Sequence, residues 1–316
     1  MKVVYITGCL GFMGSYATRK ALKRGWFVRG IDKVTYAANL DLLEEFNKYP
    51  NFEFEKCDIK DLERLYDCDY VINFAAESHV GNSIVDSEKF IESNILGVKN
   101  LLNLVRFKPM NCNDRPVLFH ISTDEVYGDI EKGDHTERDL LKPSNPYSAS
   151  KAAGDMLIHA WARTYNIDYI ILRPTNNYGI GQYPEKLISI SVKNLMREKK
   201  IKLHNKGTPV RNWLHASDTA EAIITIIDSG KINEIYNVSG GYEQSNIDTV
   251  KKIIKAYFGT DEKWEQGIDF DVHREGQDVR YALNDSKLRK LGWEPKKNFD
   301  EEIFSIVNYH KDKFRW

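Results

Sequence analysis

The strand-like run Val3–Ile6 leads directly into Thr7-Gly8-Cys9-Leu10-Gly11-Phe12-Met13-Gly14, after which helical patterning begins. Glycines at i, i+3 and i+6 permit a tight turn and let backbone N–H groups approach a pyrophosphate. The helix that follows offers its positive N-terminal end. A second strand ends in Asp32, 18 residues beyond Gly14, where a carboxylate meets the hydroxyls of an adenosine ribose. That acid repels a 2′-phosphate, so the pattern favours NAD over NADP, with Lys33 beside it pulling the other way. A turn of purely structural use would need neither the helix nor the acid.

Apolar runs at Val3–Ile6, Phe27–Ile31, Phe52–Phe54, Tyr70–Phe74, Val117–Ile121 and Tyr169–Leu172 read as strands. Helical segments are predicted near 13–24, 39–48, 60–66, 87–106 and 146–165. This alternation predicts the α/β class: a doubly wound parallel sheet of the Rossmann type, with helices on both faces. After Arg173-Pro174 the pattern loosens into the Gly- and Asn-rich stretch 176–184. A dinucleotide-binding domain is expected over 1–172 and a smaller C-terminal substrate lobe over 173–316. Residues of about 213–238 are candidates to return to the main sheet.

Tyr147 and Lys151 are four apart on the predicted helix 146–165, so their side chains share a face. A phenol is a poor base at neutral pH, and an adjacent ammonium is expected to lower its pKa. Ser122-Thr123-Asp124-Glu125 follows directly on the strand Val117–Ile121, at the end of the sheet where ligands bind. Two adjacent carboxyls there are expected to titrate apart, one remaining an acid and the other serving as a base.

With these residues in view, the sequence resembles the extended short-chain dehydrogenase/reductase family, and within it the nucleotide-sugar 4,6-dehydratases. The stretches that carry the resemblance are TGCLGFMGS (7–15), DKVTYAANL (32–40), FAAESHVGNSI (74–84), STDEVYGD (122–129), PYSASKAAGD (146–155), NNYGIGQYPEKLI (176–188) and DVRYALNDSKLRKLGWEP (278–295). The resemblance implies bound NAD and a redox-neutral lyase cycle of oxidation at C4 of a nucleotide-linked hexose, water loss across C5 and C6, and reduction at C6. It implies that Thr123 and Tyr147 bind the sugar O4 and that Tyr147 takes its proton. Glu125 removes the C5 proton, Asp124 protonates the departing hydroxyl, and Lys151 tunes Tyr147 and holds the nicotinamide ribose. Gly8, Gly11, Phe12, Met13, Gly14, Asp32, Lys33, Asp58, Ile59, Ala75 and Ala76 are the implied remaining NAD contacts. Glu77 and Ser78 are implied in the sugar wall. Asn177, Lys186, Arg211, Asn246 and Arg274 are implied partners of the diphosphate, with Arg280 a further candidate. Arginine suits that task through its fork geometry. The expected substrate is dTDP-glucose. The alternatives are a UDP- or GDP-linked hexose or N-acetylhexosamine, or a 4-epimerase reaction.

The sequence departs from the family pattern at Gly8-Cys9-Leu10-Gly11, at the short loop Asp129–Glu137, at Arg173-Pro174-Thr175 and at 274–278. These changes are expected to surround the nucleotide and hexose. Lys and Arg total 45 against 46 Asp and Glu, a net charge of -1, so neither nucleic acid nor an anionic membrane is expected as a partner. Cys9, Cys57, Cys68 and Cys112 form no C-x-x-C and no metal-ligand spacing, and are expected to be free thiols. With no secretory pattern and no long apolar run, a cytoplasmic protein is expected. The resemblance implies a homodimer, pairing through helices around 90–106 and 146–165.

Overall fold

The computed structural model describes residues 1–107, 115–260, 262, 264–272 and 278–313. The first half builds β1 (Val3–Thr7), α1 (Phe12–Lys23), β2 (Phe27–Asp32), α2 (Asp41–Phe46), β3 (Phe52–Lys56) and β4 (Tyr70–Asn73). It continues through α3 (Val80–Val85), α4 (Glu88–Ile91), α5 (Gly97–Arg106), β5 (Val117–Ile121), α6 (Pro146–Tyr165) and β6 (Tyr169–Pro174). Then come β7 (Asn176–Tyr178), α7 (Leu187–Met196), β8 (Ile201–His204), β9 (Val210–His215), α8 (Ala216–Ser229) and β10 (Glu234–Val238). The chain ends with β11 (Tyr242–Ser245), α9 (Asn246–Phe258), β12 (Ile268–Val272), α10 (Ser286–Arg289) and α11 (Phe299–Asp312).

The main sheet runs β10-β6-β5-β4-β1-β2-β3, and every pair in it is parallel. This is the doubly wound order predicted from the alternation. The order in which strands are added reverses between β1 and β4, which opens a crevice beyond their carboxyl ends. Of the stretch around 213–238, β10 pairs with β6 in the main sheet. β9 instead joins a three-stranded sheet with β7 and β11. A separate core formed by Tyr178, Ile188, Val192, Trp213, Ile253 and Phe299, among others, lies under that small sheet.

Two helix expectations fail for identifiable reasons. Residues 60–66 form a turn and an irregular segment. Their backbone groups are claimed from elsewhere: Asn100 donates to the carbonyls of Ile59 and Leu62 at 2.8 Å each, the Asp58 carboxylate accepts from Lys60 N, and Tyr5 Oη accepts from Tyr66 N. The predicted helix 87–106 is interrupted by a π-helical turn at Glu92–Leu96. Such turns concentrate at functional sites. This one turns Asn94 onto Glu77, with Oδ1 accepting from Glu77 N and Nδ2 donating to Glu77 O and Ser150 Oγ.

Arg173 corrects a further expectation. Rather than facing the ligand, it is 1% exposed beneath α6. Its guanidinium donates to Asp155 at 2.9 and 3.0 Å and to Tyr127 Oη at 2.7 Å, and Ser122 Oγ donates to the same carboxylate. Removing one partner of such a pair leaves a buried uncompensated charge, at a cost of about 3–5 kcal/mol. The departure from the family pattern at this position is therefore a matter of packing, not of substrate.

Candidate active site

The glycine loop adopts the expected form. Gly8 has φ +68°, and a Cβ there would lie 2.9 Å from Ala75 N. A Cβ on Gly14 would fall 2.1 Å from Gly8 O, so the loop tolerates no side chain at either place. Gly11 caps α1 without a side-chain bond, leaving the first N–H groups of that helix directed at the cleft. Asp32, at the end of β2, accepts from Leu10 N at 3.1 Å and Val34 N at 2.8 Å, which fixes its carboxylate beside the loop. Lys33 Nζ donates to Ser93 Oγ at 2.8 Å and pairs with Glu77 at 3.3 Å and Asp58 at 3.6 Å. Its charge is taken up by carboxylates rather than offered to a 2′-phosphate.

These residues line one cleft of about 490 Å³ together with Ile59, Ala75, Ala76 and Ser78. The same cleft is lined by Thr123, Asp124, Glu125, Tyr147, Lys151, Asn177, Lys186, Arg211 and Asn246. With Phe12 and Met13, which also line it, the cleft brings together every expected site residue within the described part of the chain except Arg280. Arg274 lies outside the described residues. Arg280 does not reach the cleft: it forms a two-point pair with Glu243, at 2.8 Å each, and donates to Gly133 O.

Local sequence explains how the reacting groups are held. Thr123 caps a short 3₁₀ turn over Asp124–Tyr127, its Oγ1 accepting from Glu125 N, so the two acids leave β5 in a fixed direction. Asn145 and Ser148 form a capping box with Pro146 in the first turn of α6. That sets Tyr147 in the first turn and Lys151 one turn deeper, and Ser83 Oγ of α3 accepts from Tyr147 N at 3.1 Å.

The two carboxyls are raised for partly different reasons. Burial and then the Glu125 charge push Asp124 up to about 8, so it is largely a carboxylic acid at neutral pH. Thr123 Oγ1 lies 3.1 Å from its Oδ1. Burial also raises Glu125, but Lys186, Arg211 and a bond from Asn145 oppose the shift. Asp124 is thereby suited to give a proton and Glu125 to take one.

The expected lowering of the Tyr147 phenol by Lys151 is not found. Burial and the charge of Glu125 raise it above the ordinary phenol range, against a hydrogen bond from Thr123. Lys151, lowered to about 8 by burial, donates from Nζ to Ile121 O at 2.7 Å, with His120 Nε2 at 3.4 Å. The ammonium is occupied by the strand end, so i, i+4 spacing alone did not make a phenolate.

Among the diphosphate candidates, Arg211 is anchored by Val210 O and Asp278 O with its guanidinium over the Tyr281 ring, and Lys186 Nζ donates to Ser78 O at 2.6 Å. The Asn177 amide bonds Thr175 O and Thr219 Oγ1. Sequence reasoning missed Asn94, Asn145, Asp278 and Tyr281. Asn145 alone carried a local signal, the capping pattern Asn-Pro-x-Ser. The others reach the site through a π turn or from 150 residues away.

Comparison with known proteins agrees with this geometry. The family described as GDP-mannose 4,6 dehydratase matches residues 5–305. The chain is 37% identical to dTDP-glucose 4,6-dehydratase of Neisseria meningitidis serogroup B, an alignment spanning 100% of this chain and 95% of that protein. It is also 37% identical to the low-salt glycan biosynthesis protein Agl12 of Haloferax volcanii, over 97% of this chain and 98% of that one. The crystal structure of dTDP-glucose 4,6-dehydratase from Bacillus anthracis in complex with NAD is similar with a TM-score of 0.88 at 34% identity, covering 99% of this chain and 98% of that chain. On these matches the chain belongs to the GDP-mannose 4,6 dehydratase family, in the nucleotide-sugar 4,6-dehydratase branch of the extended short-chain dehydrogenases/reductases.

Proposed function

We propose that this protein is an NAD-dependent dTDP-glucose 4,6-dehydratase, a hydro-lyase that yields the 4-keto-6-deoxyhexose nucleotide and water. The observation that carries the proposal is the split pair at the end of β5: Asp124, held protonated, beside Glu125, whose ionised form Lys186 and Arg211 favour against burial, in one cleft with Tyr147. NAD fits the glycine cradle, whose Cβ-free surface and open helix N-terminus suit a pyrophosphate, with Asp32 for the adenosine ribose. When bound it supplies an acceptor that takes a hydride and gives it back, so the net reaction is redox neutral.

The protein's own groups handle the protons. Thr123 and Tyr147 bind the hexose O4, and Tyr147 Oη takes the O4 proton. A carbonyl at C4 makes the C5 proton acidic, and the Glu125 carboxylate removes it. Asp124 gives its proton to the C6 oxygen, which leaves as water, and Glu125 returns a proton to C5 as the product forms. Lys186, Arg211, Asn177 and Asn246, with Arg274, hold the diphosphate, and Glu77 and Ser78 wall the sugar. Residues 1–172 with β10 serve as the NAD-binding domain, and most of 173–316 as the substrate lobe.

Turnover is expected to fall as pH rises through about 8, because Asp124 must be protonated to act as the acid. Lys151 loses its charge in the same range. The Asp124→Asn variant separates the two: a limb due to Asp124 disappears, whereas one due to Lys151 persists on a lower rate.

Incubating purified protein with NAD and dTDP-, UDP- and GDP-linked hexoses tests the function. The 4-keto-6-deoxy product develops absorbance in alkali, and recovery of a C4 epimer alone would reject the proposal. No helix among the described residues is long and apolar enough to cross a membrane. Among the described residues Cys9, Cys57 and Cys68 are free thiols, with Cys112 lying outside them, which supports placement in the cytoplasm. A homodimer is proposed through α5 and α6, near which Ile91, Leu96 and Met156 are exposed; light scattering showing a monomer would remove it.

A further inference from the structure

Glu125 is half-buried and lines the cleft that the hexose fills, and the product must regain at C5 the proton that Glu125 takes. The structure places a chain of hydroxyl and carboxyl groups behind it. Tyr281 Oη lies 3.4 Å from Glu125 Oε2 and donates to Asp278 Oδ2. The same Asp278 oxygen accepts from Ser144 Oγ at 2.5 Å. Tyr281 is 4% and Asp278 is 6% exposed, whereas Ser144 is at the surface. Tyr281 does not line the cleft, so it acts behind Glu125 rather than on the sugar.

A phenol has one proton and cannot donate to two carboxylates at once. The bond to Asp278 is the closer, which leaves the Tyr281 oxygen lone pairs facing Glu125. An ionised Glu125 finds no strong donor in that oxygen; a protonated Glu125 finds an acceptor. We propose that Tyr281 and Asp278 form a relay through which the proton taken from C5 by Glu125 exchanges with Ser144 and bulk water before Glu125 returns one to C5.

Each hop conserves protons and moves no other electrons. The O–H bond of Glu125 breaks as one forms on Tyr281 Oη, and the original phenol proton passes to Asp278 Oδ2. Asp278 then gives a proton to Ser144 Oγ as that hydroxyl releases its own to water, and the same hops in reverse bring a solvent proton to Glu125 for return to C5. The Arg211 guanidinium, 4.5 Å from the centre of the Tyr281 ring, steadies negative charge on the phenol oxygen during transfer. Burial keeps that phenol well above its ordinary range, so it passes a proton without resting as an anion.

The inference rests on the dehydratase reading, and its test separates the two. Substrate carrying protium at C5 is turned over in D₂O, and the C5 position of the product is read by NMR or mass spectrometry. Wild-type protein is expected to deliver deuterium at C5. In Tyr281→Phe, Glu125 remains a base but its proton is trapped, so protium returns to C5 and the label is lost in part. Asp278→Asn, which leaves Tyr281 without its onward acceptor, is expected to show the same retention and serves if Tyr281→Phe does not fold. Full deuterium labelling by both variants would overturn the relay, as would retention of protium by the wild type. Absence of any 4-keto-6-deoxy product from the wild type would overturn the dehydratase reading itself.

Discussion

Tyr147→Phe is expected to lower kcat by roughly 10²–10⁴-fold, the range for removing a positioned acid–base group, while leaving the fold and NAD content unchanged. The substitution removes one oxygen from a ring that is 8% exposed and packs edge-on against Phe90 at 6.4 Å. The helix start is held independently, by the Asn145–Ser148 capping box and by Ser83 on the Tyr147 amide, so stability gives little ground for a loss of turnover. What disappears is the acceptor for the O4 proton. Tyr147 is a neutral phenol at rest, because burial and then the charges of Glu125 and Asp124 raise it while Lys151 is bound to the Ile121 carbonyl. A positive charge supplied with the cofactor favours the ionised form, so the basic state belongs to the loaded enzyme. Two measurements check this: steady-state kinetics of Tyr147→Phe, and ultraviolet titration of the phenols with and without NAD. Full turnover by the variant would be incompatible with the mechanism.

The glycine loop, Asp32, the doubly wound parallel sheet and the acid pair were legible because each rests on local patterns with one physical use. A strand followed by glycines at three-residue steps leaves few folds other than the doubly wound sheet. Helix limits were less legible where tertiary bonds outbid local preference. Asn100 takes the carbonyls that would have made a helix of 60–66, and the π turn at Glu92–Leu96 exists because Asn94 is tied to Glu77 and Ser150. Arg173 stood out correctly as a departure but for the wrong reason, since nothing in Arg-Pro-Thr reveals that Asp155 waits beneath it. The electrostatics of the site lay furthest from view. Spacing places Lys151 and Tyr147 on one face, but which partner the ammonium chooses depends on the end of β5. The neighbours of Glu125 come from segments 20 and 156 residues away.

Glu125→Gln carries the second large effect, a loss of roughly 10²–10⁴-fold in turnover with collapse of deuterium exchange at C5. The change is nearly isosteric, and the backbone N–H bond to Thr123 Oγ1 that fixes the turn is untouched. Glutamine cannot accept the C5 proton, so the carbon acid never ionises. The assignment of base to Glu125 rather than Asp124 follows from their surroundings. Asp124 is pushed up to about 8 by burial and by its neighbour's charge, whereas Lys186, Arg211 and Asn145 all favour the ionised form of Glu125. Asp124→Asn is therefore expected to slow elimination while part of the C5 exchange survives, because the base is intact. If exchange instead survives in Glu125→Gln and disappears in Asp124→Asn, the two roles are reversed. Isotope content at C5 in the two variants, read in unreacted substrate as well as product, separates proton removal from hydroxyl loss. It also distinguishes a missing base from a blocked exchange: Glu125→Gln leaves substrate unlabelled and forms little product because the C5–H bond stays intact, whereas a severed relay returns protium to C5 in an enzyme that still turns over.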